Sequence, residues 1–165
     1  MAITGSGKIK REKHLIGYVY TDGENEGIEL IGKDNDELSR TLNNEVESKR
    51  NVLGETTVEV TQGNHTTTVD PFIGRYDSKL FAKLDDIYNN DLELDEVVEE
   101  FIDISEYDEV SEGKFRAFKQ KAAIDLKSLG GQKSLGAPFD LNWVGKKTHG
   151  TYDPVTKKFT ETASV

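Results

Sequence analysis

The chain has no cysteine, which excludes disulfides, thiolate-ligated zinc and a thiol nucleophile. Proline is scarce, with 3 residues in 165, and no Pro/Gly-rich linker interrupts the sequence. One domain spanning 1–165, large enough to bury a real core, is therefore the economical reading. Positive charge is in deficit: 21 Lys plus Arg stand against 31 Asp plus Glu, a formal charge of -10, which disfavours tight binding of phosphate backbones by the subunit as a whole. Long apolar runs are missing too. The start, MAITGSGKIKREKH, is polar and basic and is followed by no apolar core, so neither a secretory signal nor a membrane anchor is expected. Cytoplasmic synthesis of a soluble protein is the expectation.

The constellations that carry catalysis are absent as well. Gly145-Lys146-Lys147-Thr148 resembles the end of a phosphate-binding loop, but that loop needs a glycine five residues before Gly145, where Asp140 stands, and a helix after the Thr. His14, His65 and His149 fall in no metal-ligand spacing. Asp34, Asn35 and Asp36 suggest calcium ligation, yet the glycine and distal Glu of a calcium loop are missing at their offsets. There is no Gly-x-Ser-x-Gly elbow. Paired carboxylates such as Asp85-Asp86 and Glu99-Glu100 recur too often to be specific and read as a solvated acidic face. Arg75-Tyr76 and Trp143 have the chemistry to stack on bases or sugars, but isolated aromatics beside strands are more often core or turn residues. The chain reads as a non-enzyme without a cofactor or metal.

What is present is mostly extended. Residues 1–13 mix Gly, Ser and Lys/Arg and read as a mobile arm. His14 to Tyr20 is β-branched and aromatic, with turns expected at Asp22-Gly23 and Glu26-Gly27 and a short strand from Ile28 to Ile31. Residues 37–69 form a long polar β excursion, with Thr56, Val58 and Val60 alternating against Thr57, Glu59 and Thr61. So polar a two-stranded excursion gains little from its own side chains and needs another surface to receive it. Asp70-Pro71 ends it.

The one confident helix runs from Asp77 to Asn90. Leu80, Phe81, Leu84, Ile87 and Tyr88 gather on one stripe, Asp77 is its expected N-cap and Asn89 or Asn90 its stop. Further strands are expected at Val97–Ser105, followed by an acidic turn from Tyr107 to Glu112, and at Phe115–Leu126. Two more follow, one carrying Phe139, Leu141 and Trp143 and ended by Gly145, the other near Lys158–Thr162. Strands in runs with one helix predict a mainly β fold, a two-layer β-sandwich or half-barrel with one flanking α-helix.

Several stretches resemble the major tail proteins of tailed bacteriophages, which build the tail tube. They are Glu29-Leu30-Ile31-Gly32, Asn51-Val52-Leu53-Gly54-Glu55-Thr56, Val69-Asp70-Pro71-Phe72, the helix DSKLFAKLDDIYN, and Leu129-Gly130-Gly131 with the Gly150-Thr151 and Lys158-Phe159-Thr160 segments after it. The resemblance covers most of 28–160 and departs from the family's pattern in having Phe72-Ile73 where a more tyrosine-rich pair is expected. It implies a subunit that assembles into stacked hexameric rings, a hollow conduit through which DNA passes without specific binding. It also implies partners among other tail proteins (tape measure, tail tip or baseplate, terminator) and a place in the virion tail after assembly in the bacterial host cytoplasm. The tubes of phage-like bacteriocins and of secretion devices are related possibilities; from a different class, so is a monomeric β-sandwich binding module using Trp143 and loop tyrosines. The family has no catalytic residues to carry over. Under this resemblance the assembly contacts are expected in the arm, at Lys8 and Arg11; in the excursion, at Val52, Leu53, Gly54 and Glu55; and at Asp70 and Pro71. Deleting 1–13, or shortening the chain around Gly54 to His65, is expected to leave the far-ultraviolet circular dichroism and cooperative melting intact and to abolish polymers seen by electron microscopy.

Overall fold

The computed structural model describes residues 3–162; Met1 and Ala2 of the expected arm lie outside it. The fold is mainly β with one α-helix. Strands β1 (His14–Asp22), β2 (Asn25–Ile31), β3 (Arg40–Thr41), β4 (Glu45–Arg50), β5 (Thr56–Thr61) and β6 (Thr66–Val69) precede helix α1 (Lys79–Asn90). After it come β7 (Val98–Ser111), β8 (Lys114–Leu126), β9 (Phe139–Asp153) and β10 (Lys158–Glu161). The main sheet is antiparallel in the order β2-β1-β7-β8-β9-β6-β3, with β10 added along the far half of β9, while β4 and β5 form a sheet of their own.

Strand β7 lies between β1 and β8 in this sheet and is buried on both faces. Phe101 belongs to the larger core, with Ile16, Tyr18, Val69, Phe139, Leu141 and the helix residues Leu80, Leu84 and Ile87. Ile102 and Ile104 belong to a second cluster with Val19, Ala117 and Tyr152, on which Ile28 of β2 and Phe159 of β10 converge. The sheet therefore curls around the second cluster as a half-barrel and carries the helix on its other face, giving two layers that share one strand. Close backbone approach is needed inside the curl: a Cβ on Gly150 would overlap the Thr160 carbonyl oxygen and the Phe159 ring.

The helix is fastened at its N-terminus by a residue from the sheet. Ser78, not Asp77, is the N-cap; its Oγ accepts from Phe81 N at 3.0 Å. The Glu29 carboxylate of β2 accepts from Lys79 N at 3.1 Å and Leu80 N at 3.0 Å, and from Ser78 Oγ at 3.1 Å. Ala82 N donates to Ser78 O, so the amides that a helix start leaves without partners are all satisfied. Serine wins the cap because its short side chain folds back onto the first turn while Glu29 supplies the negative charge that the positive helix end favours. At the other end the stop is Asp91, in the left-handed conformation, one residue beyond the expected asparagines. Tyr88, expected on the apolar stripe, is exposed.

Other boundaries also shift. Glu26-Gly27 is no turn: both residues lie in β2, with the Tyr20 ring packed where a Gly27 side chain would stand. The stretch from Tyr107 begins as strand rather than acidic turn, because β7 continues to Ser111 through register shifts opposite β8. Gly145 does not end β9. It sits with positive φ at a bulge, Lys119 pairing with Thr148 and Lys121 with Val144, after which pairing resumes. The end of the excursion is core: Thr67 and Val69 of β6 are buried against β9, and Leu38 is buried as well.

The stripe of α1 is thus internal, with Leu84 fully buried. Leu84→Ala should cost about 2–5 kcal/mol in denaturant unfolding, and Leu84→Asp should leave no cooperative transition; a Leu84→Asp protein that melts normally but fails only to associate would instead make the helix a contact between subunits.

Candidate assembly surface

The β4–β5 hairpin stands away from both cores, and every one of its strand residues is exposed. Its register places Val46 opposite Val60 and Ser48 opposite Val58 on one face, and Glu47 opposite Glu59 on the other. One face thus carries three valines, with Ser48, Arg50 and Thr56 beside them, and the other places like charges directly across from each other, a mildly unfavourable pairing. The nearest compensation is Lys49 Nζ at 3.7 Å from Glu47, between side chains mostly in solvent. Among the described residues none buries the valines.

The tip is nevertheless well built. Asn51 Oδ1 accepts from Leu53 N at 2.9 Å and Glu55 N at 3.0 Å, Asn51 Nδ2 donates to Glu55 Oε2 at 3.1 Å, and Gly54 supplies the positive φ that the turn requires. This holds Val52 and Leu53 outward, 103% and 77% exposed. The root is equally fixed. Asn43 Nδ2 donates to Asn64 O at 2.7 Å, and a Cβ on Gly63 would overlap the Asn43 carbonyl oxygen. A tied root and an ordered tip make the hairpin a directed projection.

The other expected contacts fall elsewhere. Lys8 is exposed in the coil of the arm. Arg11 begins a short 3-10 turn and is anchored, its guanidinium donating to His14 O at 2.6 Å and to Leu38 O; this last part of the arm is ordered against the fold. Asp70 and Pro71, both exposed, follow the opposite end of β6, beside the helix, where Pro71 O accepts from Asn35 Nδ2 at 3.0 Å. The hairpin alone extends roughly 20 Å from its root, so the tip, the arm and the Asp70-Pro71 turn are separate surfaces rather than one patch.

The Asp34 region is structural. Both carboxylate oxygens are engaged by Arg75, at 2.9 and 2.7 Å, and among the described residues no group of three or more His, Cys, Asp or Glu is placed to hold a metal ion. Trp143 is buried, with Nε1 donating to Thr67 Oγ1 at 2.9 Å, which leaves it unable to serve as an aromatic platform. Among the described residues no helix is long and apolar enough to cross a membrane.

One cluster has no single motif in the sequence. Arg40, His65, Phe118, Gln120, Lys147 and His149 come from separate segments and meet on the part of the sheet that the helix leaves uncovered. Burial and the charges of Arg40 and Lys147 push His65 below the usual imidazole range. No spacing in the sequence connects these residues, so nothing in the chain's order pointed to the cluster.

The chain matches no protein-family model and no curated protein.

The Arg75 guanidinium, by hydrogen bonding first, holds the Asp34 carboxyl below its ordinary range. Its stabilising contribution is therefore full above the unfolded carboxylate pKa and is lost as pH falls through the lowered folded value. Asp34→Asn should melt below wild type at pH 7, and the gap in melting temperature should close in acid; a gap independent of pH would contradict the assignment.

Proposed function

We propose that this chain is the structural subunit of a phage-type tail tube, self-associating into stacked hexameric rings that form a conduit for DNA, and that it resides in the virion tail after assembly in the host cytoplasm. The observation that carries the reading is the β4–β5 hairpin: tied at its root, ordered at its tip, with three valines on one face that no other described residue buries. Ordering such a projection is worthwhile only if another molecule receives it. The half-barrel with one flanking helix agrees with the fold that the resemblance implies. A large sheet that curves without closing leaves edges that a ring of subunits can pair. The net charge of -10 suits a conduit that must release its cargo, because an acidic wall repels phosphate. A tube of a phage-like bacteriocin or secretion device would use the same contacts. The monomeric binding module loses its main platform with the burial of Trp143.

Concentrated purified protein should show rings or tubes by negative-stain microscopy and a rising mass by light scattering. Val52→Asp with Leu53→Asp should leave the melting temperature within about 1 °C, as expected for exposed positions, and should eliminate the polymers. A wild-type protein that stays monomeric at every concentration would refute the reading.

A further inference from the structure

Copies that each carry a charge of -10 repel one another, and repulsion between facing surfaces is not screened at separations below a Debye length of about 8 Å. Their contacts must therefore join unlike patches. The place where cations gather is a concavity of about 630 Å³ on the uncovered half of the helix-side face. Lys10 and Arg11 enter it from the arm, Arg40 from β3 and Lys147 from the bulge of β9, around an apolar floor that includes Leu38 and Phe118. Arg40 lies over the Trp143 ring at 4.4 Å and Lys147 over Phe118 at 4.6 Å.

The concavity is short of negative charge. Asp103 is the one carboxylate among its lining residues, against Lys10, Arg11, Arg40, Arg116 and Lys147, and it is in contact with His14 at 2.7 Å. Among the described residues no carboxylate comes within ion-pair range of Lys10, Arg11, Arg40 or Lys147. Arg40 spends Nε on His65 at 2.9 Å and Nη2 on Gln120 at 2.5 Å, and its buried Nη1 has no partner. Burial and the neighbouring Arg40 charge hold the Lys147 ammonium below its ordinary range.

The complementary feature is the turn between α1 and β7. Glu93, Leu94, Asp95 and Glu96 are all exposed there; Leu94 is 81% exposed and held at positive φ, an uncommon conformation for leucine. An apolar side chain flanked by carboxylates matches an apolar floor rimmed by cations. The turn lies at the start of β7 and the concavity beside Asp103, roughly 20 Å along the strand, so the turn does not reach the cavity of its own subunit. We infer that the cationic concavity receives the acidic turn Glu93–Glu96 of a second copy of this chain, in a head-to-tail contact that rests on the self-association proposed above. Two different patches joined in this way form a heterologous interface, the kind that closes into a ring or continues as a filament.

Charge reversal tests this in sedimentation velocity on the full chain, with melting temperatures as the folding control. Lys10→Glu with Lys147→Glu should raise the concentration needed for association at least about tenfold, as should Asp95→Lys with Glu96→Lys, and the chain carrying all four should return to within about threefold of wild type. Should a reversal unfold the chain, Lys10→Gln with Lys147→Gln and Asp95→Asn with Glu96→Gln provide the same comparison, each expected to weaken association. If wild type associates and either pair of changes leaves association unaltered, this contact is wrong while the tube reading stands. If wild type never associates, both fail. Rescue absent from the four-residue variant, together with retardation of a short DNA duplex that Lys10→Glu with Lys147→Glu removes, would make the concavity a phosphate site and overturn the inference.

Discussion

Strand β7 carries the structure because it is apolar on both faces. Phe101 points into the core beneath the helix, while Ile102 and Ile104 point into the half-barrel. Burying a large apolar side chain contributes about 1.5–3 kcal/mol, and both layers draw on this one strand. The rest of the sheet is arranged to cover it. β1 and β8 flank it, β2 and β10 bring Ile28 and Phe159 over one side, and α1 covers the other. Glu29 ties these coverings together, since a residue of β2 caps the helix and the two cannot move independently.

The buried apolar residues gather in two clusters around β7, and neither includes a residue of the β4–β5 hairpin. Val19 and Val69 are buried in the two cores; on the hairpin, Val46, Val58 and Val60 face water. That contrast separates what stabilises the subunit from what is left for contact with other molecules. Charge is divided in a similar way: carboxylates dominate overall, whereas cations collect where the helix does not cover the sheet. An acidic chain with one cationic concavity and one ordered projection has directional surfaces rather than uniformly repulsive ones.

Much of the fold was legible in the sequence. The helix could be read because Leu80, Leu84 and Ile87 repeat at helical spacing, and the long strands because their alternation persists. The N-cap was misplaced by one residue because Asp77 and Ser78 are both good caps and the deciding partner, Glu29, is distant in sequence. Gly145 read as a strand end because a glycine at a bulge and a glycine at a terminus look alike without the partner strand. The polar excursion hid a core strand: Thr67 is fully buried, but its hydroxyl is satisfied by Trp143, so a run of threonines carried no apolar signal. The cationic concavity was not legible at all, since Lys10, Arg40 and Lys147 become neighbours only through the order of strands in the sheet.

Under the proposed function the hairpin is uncovered in the single chain and becomes covered when copies associate. Amide hydrogen exchange over residues 45–61, followed as protein concentration is raised, tests it directly. Fast exchange along β4 and β5 is expected in dilute protein and strong protection once the mass increases, while β7 is protected throughout. Hairpin amides already protected in the monomer, or still exchanging fast in a fully associated sample, would contradict it.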